Sequence, residues 1–360
     1  MTSRDSACLA QAIASIVPCD ARYAAEAQRH LDDLTKPQGS LGRLEAIAAQ
    51  MFTLCEGKIP LPLRPGAYCF AADHGVCEEG VSAYPREVTA QMVLNCLQGG
   101  AAISVLARAN GAELTVVDVG VDAEFDDAPG LVRAKVRRGS RNMRREAAMS
   151  REELEAALEV GMSQANTARE RGQNLVAFGE VGIGNTTAAS AIAAALTGEP
   201  ASAVTGSGTG LDAAGVRRKA RIVEESVKFH FGAAKLSPEP LEVLRCVGGL
   251  EIAAMTGFIL GAAANRTAIV CDGFIATAAA AVACAIAPAV GGYLFAGHCS
   301  EEPGHSYLLN HLELTPILRL NLRLGEGTGA VLAMPVIASA LHIFAEMATF
   351  SSAGVSTKNE

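Results

Sequence analysis

The 360-residue sequence contains no tryptophan, and aromatic residues make up only 4% of it. A protein that stacks nucleic-acid bases on aromatic rings needs more than that. Excess positive charge is missing too: 30 Lys and Arg against 38 Asp and Glu leave a net charge of −8. That balance argues against a general binder of nucleic acid or of anionic membranes. Charged residues are scarce at 19% and hydrophobic ones reach 50%, which excludes a largely disordered chain. Ten cysteines are present without a single Cys-x-x-Cys pair. Cys69, Cys271 and Cys284 lie in apolar runs, where a reduced thiol is a small hydrophobe. The start of the chain reads as a short helix over residues 7–17 rather than a secretory signal, so a cytoplasmic location is expected.

Residues 273–297 carry no charge, a stretch long enough to cross a bilayer. Pro288, Gly291 and Gly292 split it, and its first half is mostly alanine. It reads as a buried helix followed by a buried strand, and no membrane partner is expected.

What the chain does have is a βα rhythm. Five short apolar runs, at residues 67–72, 114–119, 175–179, 268–271 and 293–296, predict buried parallel strands. Helical patterns separate them, so an α/β fold with a parallel sheet flanked by helices is expected. The runs lead into Asp73-His74, Asp118, Glu180, Asp272 and His298. Ligands in such sheets bind at the carboxyl ends of the strands, which makes these polar ends candidates for a site.

Around this rhythm, residues 20–60 read as helical with an elbow at residues 36–42, where Ser40 is expected to cap the next helix. Residues 60–65 read as a linker. Residues 88–109 predict a helical region broken at Gly99-Gly100. Ser150 and Glu153 form a capping box ahead of Leu154, Leu158 and Met162 on one helical face. Six Arg and one Lys between residues 133 and 145 read as a solvated face.

Three loops carry the chemistry. Gly179 to Thr187 leaves a strand, turns on glycines and opens an Ala-rich helix at residues 188–196, an arrangement that binds anions at free backbone N–H groups. It lacks the dinucleotide fingerprint and the Gly-Lys-Ser/Thr of a P-loop. A second Gly-rich loop at residues 206–210 precedes Arg217, Arg218, Lys219 and Arg221, and together they suggest a small phosphate-bearing ligand. The third loop, residues 323–330, sets Glu326 between Gly325 and Gly327 at the entrance to an apolar stretch. Taken alone, it reads equally as a turn and as a site. His298, His305 and His311 meet no standard zinc spacing, so no metal is expected.

With these residues in view, the chain resembles the nicotinate-nucleotide–dimethylbenzimidazole phosphoribosyltransferase family, which makes the lower ligand of cobalamin. The resemblance is carried in order by residues 34–42, 72–76, 80–85, 179–187, 271–273, 297–305 and 323–330. One departure, Ala147 where the family pattern suggests proline, lies outside the proposed chemistry. The resemblance implies a pentosyltransferase that moves phosphoribose from nicotinate mononucleotide to a nitrogen of 5,6-dimethylbenzimidazole. Nicotinate leaves, C1′ inverts from β to α, and α-ribazole 5′-phosphate forms without a cofactor. It also implies a Rossmann-like large domain at residues 61–330, a smaller helical domain from residues 1–60 with about 331–360, and a homodimer.

By the same resemblance Glu326 is the general base. Gly182, Gly184, Asn185, Thr186, Gly208, Lys219, Asp272, Ser300 and Arg323 surround the nucleotide. Ser82, Gln91, Val181 and Leu324 are expected to line the base pocket. Glu180 is either a second carboxylate near the base or an acceptor for backbone N–H groups. Two other functions compete. A transferase using phosphoribosyl pyrophosphate would show two adjacent acids and a Thr-Gly turn, whereas residues 116–120 hold only Asp118. A non-catalytic nucleotide-binding protein would need the phosphate loops but not Glu326.

Overall fold

The computed structural model describes residues 5–125, 128–232 and 238–355. Its centre is a six-stranded sheet: β1 (Pro65–Ala72), β2 (Glu113–Gly120), β3 (Leu131–Arg133), β4 (Leu175–Val181), β5 (Ala268–Cys271) and β6 (Leu294–Ala296). The strand order is β3-β2-β1-β4-β5-β6, and every pair is parallel. The chain therefore winds outward from β1 to one edge, then returns to β4 and winds to the other. The crevice between the carboxyl ends of β1 and β4 is the switch point where α/β sheets bind ligands.

Five strands match the expected runs, and β3 is additional. It has only three residues and begins the arginine-rich stretch, so neither its length nor its hydrophobicity marks it. The arginines after it are not simply solvated. Arg141 grips Glu153, Arg144 reaches Glu79 and Glu225, and Arg145 meets Glu78 at 2.9 Å. Ser40 does not cap the following helix, Arg43–Leu54, whose N-cap is Gly42. Glu45 supplies the polar contact from within the helix, accepting the Leu41 N–H at 3.0 Å and pairing with Lys36 at 2.9 Å.

On one face of the sheet lies the Leu250–Ala264 helix, apolar apart from Glu251 and Thr256 and buried through all but its last residue, beside the Phe274–Ile286 helix. The Arg151–Glu170 helix packs outside Leu250–Ala264, and two glycines allow the close crossing. A Cβ on Gly161 would sit 1.8 Å from the Ala254 carbonyl, and one on Gly257 would sit 2.0 Å from that of Leu158. The opposite face carries the helices Val88–Leu97, Ala102–Ala109 and Thr328–Glu346. Thr328–Glu346 meets the sheet with its first turns and the Arg43–Leu54 helix beyond them. The chain ends are tied further by a Leu34–Thr349 bridge and by the Thr35 N–H donating to the Ala348 carbonyl at 3.0 Å. The first helix, Asp5–Ser15, lies instead against Arg151–Glu170 and Leu250–Ala264.

Candidate active site

The turn before the Thr328–Glu346 helix places three consecutive residues in the left-handed region: Gly325, Glu326 and Gly327, with φ of 90°, 66° and 100°. Glycine adopts this region freely, and glutamate seldom does. Such strain persists only where the surroundings over-determine it. Here they do. The Glu326 N–H donates to the Glu180 carbonyl at 3.1 Å. Asp272, at the end of β5, accepts the Gly327 N–H on Oδ2 at 3.0 Å, and those of Gly329 and Ala330 on Oδ1 at 2.7 and 3.1 Å. Asp272 thus satisfies the first free N–H groups of the helix.

Glu326 is 4% exposed. Its Oε2 accepts the N–H of Ile103 at 3.1 Å, in the first turn of the Ala102–Ala109 helix, whose N-cap Ala101 has no capping side chain. Its Oε1 has no hydrogen-bond partner among the described residues, and the side chain borders the cavity described below. Burial and the charge of Asp272 push the carboxyl above its ordinary value, against the pull of the Ile103 N–H. Glu180 stands opposite at the end of β4. Burial, then the charges of Glu251 and Asp272 and finally that of Glu326, raise its carboxyl well above the usual range. The Asn185 side-chain amide donates to its Oε2.

At the other end of the site, β4 runs through Gly182 and Gly184 into the Asn185–Thr197 helix. Gly184 is the N-cap, with φ of 97° and no side chain to cap the helix. Among the described residues the N–H groups of Gly184 and Thr186 have no partner, so a helix N-terminus with its positive dipole end stands uncovered. Lys219, on the Ala213–Phe231 helix, reaches it from behind and donates to Thr186 Oγ1 at 2.7 Å. Its side chain is fully buried, and burial pulls the ammonium down to about 8 although Glu302 opposes this. Glu302 also accepts the Gly208 N–H at 2.8 Å, and Arg323 donates to the Gly208 carbonyl at 3.3 Å.

These two ends face each other across a cavity of about 670 Å³. Glu180, Val181, Gly182, Asn185 and Thr186 line it from the end of β4 and the helix start that follows, and Gly208, Ser300, Arg323, Leu324 and Glu326 from the loops. Five expected residues do not line it. Gly184, Lys219 and Asp272 stand behind the wall. Ser82 sits at the rim, with its hydroxyl 3.4 Å from that of Thr209. Gln91 faces solvent, while Val88 and Met92, on the same helix, turn toward the cavity. Reading the sequence missed Met92, Tyr84 and Glu302 as wall residues; Tyr84 and Glu302 lie in stretches that carry the family resemblance, whereas Met92 lies in none. His298 had a signal, its place at a strand end, and it too lines the cavity. The ends of β1 and β2 serve the scaffold: His74 pairs with Glu251 at 2.6 Å, and Asp118 with Lys135 at 3.2 Å.

A carboxylate at one end of a cavity and an uncovered helix N-terminus at the other suit a substrate that carries an anion and a second that loses a proton. Residues 16–355 match the family model described as phosphoribosyltransferase. A nicotinate-nucleotide–dimethylbenzimidazole phosphoribosyltransferase of Geobacter sulfurreducens is 52% identical over 347 residues, spanning 96% of this chain and 98% of that protein. The enzyme of the same name from Chlorobium chlorochromatii is 52% identical over 349 residues, 97% of this chain and 98% of its own. The crystal structure of CobT from Thermus thermophilus superposes with a TM-score of 0.88 at 48% identity, covering 94% of this chain and all of that one. Fold and site together define a phosphoribosyltransferase. More narrowly, the chain belongs to the nicotinate-nucleotide–dimethylbenzimidazole phosphoribosyltransferase family of enzymes.

Proposed function

We propose that this protein transfers phosphoribose from nicotinate mononucleotide to 5,6-dimethylbenzimidazole, releasing nicotinate and forming α-ribazole 5′-phosphate. The observation that carries the reading is the Glu326 carboxylate on the cavity wall, tethered through Oε2 with Oε1 unbonded among the described residues. One benzimidazole nitrogen bonds to C1′ while the bond from C1′ to the pyridinium nitrogen breaks. The electron pair of that bond neutralises the departing ring. The other benzimidazole nitrogen becomes acidic as its ring gains positive charge, and Glu326 takes its proton. Attack from the face opposite the leaving group inverts C1′. The buried setting raises the basicity of Glu326 and keeps water from the nucleotide.

In this reading the phosphate sits at the N–H group of Thr186, between Gly182, Asn185 and Gly208 on the cavity wall, with Gly184 shaping the turn and Lys219 holding Thr186 from behind. Ser300 and Arg323 border the ribose and nicotinate, and Asp272 acts through the turn it holds. Val181 and Leu324 flank the base, Ser82 guards the rim, and the solvent-facing Gln91 stays outside. Residues 1–60 and about 331–360 form the smaller domain, supported by the ties between the chain ends, with the Asp5–Ser15 helix reaching across to the larger one. The protein is cytoplasmic and homodimeric. Tyr84, Leu94, Val105 and Leu324, all 40% exposed or more, supply an apolar surface for the second copy. Sedimentation equilibrium tests this; a mass of one chain would reject the dimer.

The direct test incubates the protein with nicotinate mononucleotide and dimethylbenzimidazole in the presence of a chelator. Stoichiometric nicotinate and α-ribazole 5′-phosphate are expected. Binding of the nucleotide without product would reject the enzymatic reading and leave a binding protein.

A further inference from the structure

Among the carboxylates buried at the sheet end, Glu180, Glu251, Asp272 and Glu326 form a group in which Glu180 feels the charge of the other three. The two buried histidines beside them are distributed unequally. His74 meets Glu251 at 2.6 Å, and His298 lies 3.5 Å from Asp272 Oδ1, while Glu180 and Glu326 form no ion pair among the described residues. The His298 ring is 2% exposed, and neither of its nitrogens has a hydrogen-bond partner among the described residues. It is also wedged in place. A Cβ on Gly329 would fall 2.0 Å from its Cδ2, and one on Gly273 would fall 3.3 Å from its Nε2. At 3.5 Å the contact with Asp272 is longer than a good hydrogen bond, so charge rather than a shared proton binds the pair.

We infer that His298 is a positioning residue: as an imidazolium it holds Asp272 as the anion that clamps the 325–330 turn, and it shields Glu326 from that anion. Asp272 needs lone pairs on both oxygens for its three N–H donors, which the ionised form supplies. Burial disfavours charge on His298, but Asp272 overcomes it and lifts the ring above its ordinary value. Its neighbour His305, with ring centroids 6.0 Å apart, is kept neutral: burial and the His298 charge lower it to about 3. His305 accepts the Ser300 N–H at 2.8 Å and faces Thr277 Oγ1 at 3.0 Å, the bonding of a neutral ring. The charged or titratable groups around this pair and Glu326 are Glu180, Glu302 and Arg323 on the cavity wall, His305, Cys69 and Cys271, and beyond Glu180 the Glu251–His74 pair.

The inference rests on Glu326 being the base, and the test separates the two. In the intact enzyme the acid limb of the kcat profile belongs to Glu326 and is lost with turnover in Glu326→Gln. If Glu326→Gln keeps turnover and limb, the role of Glu326 fails, and with it the shielding half of the inference. In His298→Gln the KM for nicotinate mononucleotide should hold within about twofold, kcat should fall, and the limb should move up by about 0.5–1 pH unit because Asp272 is no longer offset. Adding Asp272→Asn should bring the limb back while kcat stays low. A limb that does not move, or a raised KM with kcat intact, would overturn the inference. Should His298→Gln fail to fold, nitrogen NMR of the intact enzyme decides: an imidazolium at His298 at neutral pH supports it, and a neutral ring rejects it.

Discussion

Two glycine turns meet over the sheet end, and each opens a helix. At the Asn185–Thr197 helix the N-terminus is uncovered: Gly184 brings no side chain, and two N–H groups have no partner among the described residues. At the Thr328–Glu346 helix the equivalent groups are taken by Asp272, with Glu326 fixed just ahead of them. The same local motif therefore makes an open cradle in one place and a rigid mount in the other. Whether the protein has already supplied the anion decides which. A cradle suits a phosphate that must come and go. A mount suits a base that must stay aimed.

The sharpest way to break this contrast is at the mount. Glu326→Gln should lower kcat by about 10³-fold, within the range for loss of a general base, with nucleotide binding kept; steady-state kinetics and calorimetry separate the two. Turnover within tenfold of normal would take the base elsewhere. At the cradle, Lys219→Met should raise the KM for nicotinate mononucleotide by roughly 10- to 100-fold, because the charge that holds Thr186 from behind is lost, with kcat less affected. The free protein should gain stability, because burial disfavours this ammonium. Since its value falls from 10.5 to about 8 on folding, the unfolded chain holds the extra proton between these pH values. Stability of the unmutated protein should therefore climb with pH across that window, closing the gap to Lys219→Met in thermal melts.

Gly184→Ala tests the shape of the cradle. A Cβ at φ 97° would meet Cys77 Sγ at 2.6 Å, so about 1–3 kcal/mol of stability should be lost in denaturant titration. Unchanged stability would show that the loop has room to relax. The smallest effect belongs to Glu180, which neither helix N-terminus holds. Its raised carboxyl makes the ionised form costly above that raised value, so Glu180→Gln should lift Tm by about 2–4 °C at pH 8. As pH falls below the raised value, the natural carboxyl takes up its proton in the folded state, and the difference should shrink steadily and vanish only in the ordinary carboxylate range. A gap that is constant with pH would assign the change to packing instead.

Much of this arrangement can be read along the chain. Alternating apolar runs and helical patterns marked five of the six strands, and the glycine spacing around residues 182–184 and 325–327 marked both turns. The capping box at Ser150 formed as its residues suggest, because both partners lie within one turn. Failures came where a partner is distant. Ser40 looked like a cap, but Glu45 and Lys36 supplied the contacts. The arginine run looked solvated, but acids from the Gly75–Glu79 turn and from two helices gather on it. The strand β3 is too short to carry a period and exists because β2 offers it an edge.

The sequence by itself determined the βα order, the positions where the backbone can turn left-handed, and an acid at the end of β4, at the end of β5 and between Gly325 and Gly327. These follow from local sterics and from the period of apolar residues, which need no distant partner. The tertiary structure alone decided what each acid does. Asp272 spends its oxygens on three backbone N–H groups, Glu326 on the cavity wall gives one to Ile103 and keeps one unbonded among the described residues, and Glu180 is left with the Asn185 amide. Desolvation and hydrogen-bond occupancy depend on which segments meet in space, and chemically identical carboxylates diverge for that reason alone.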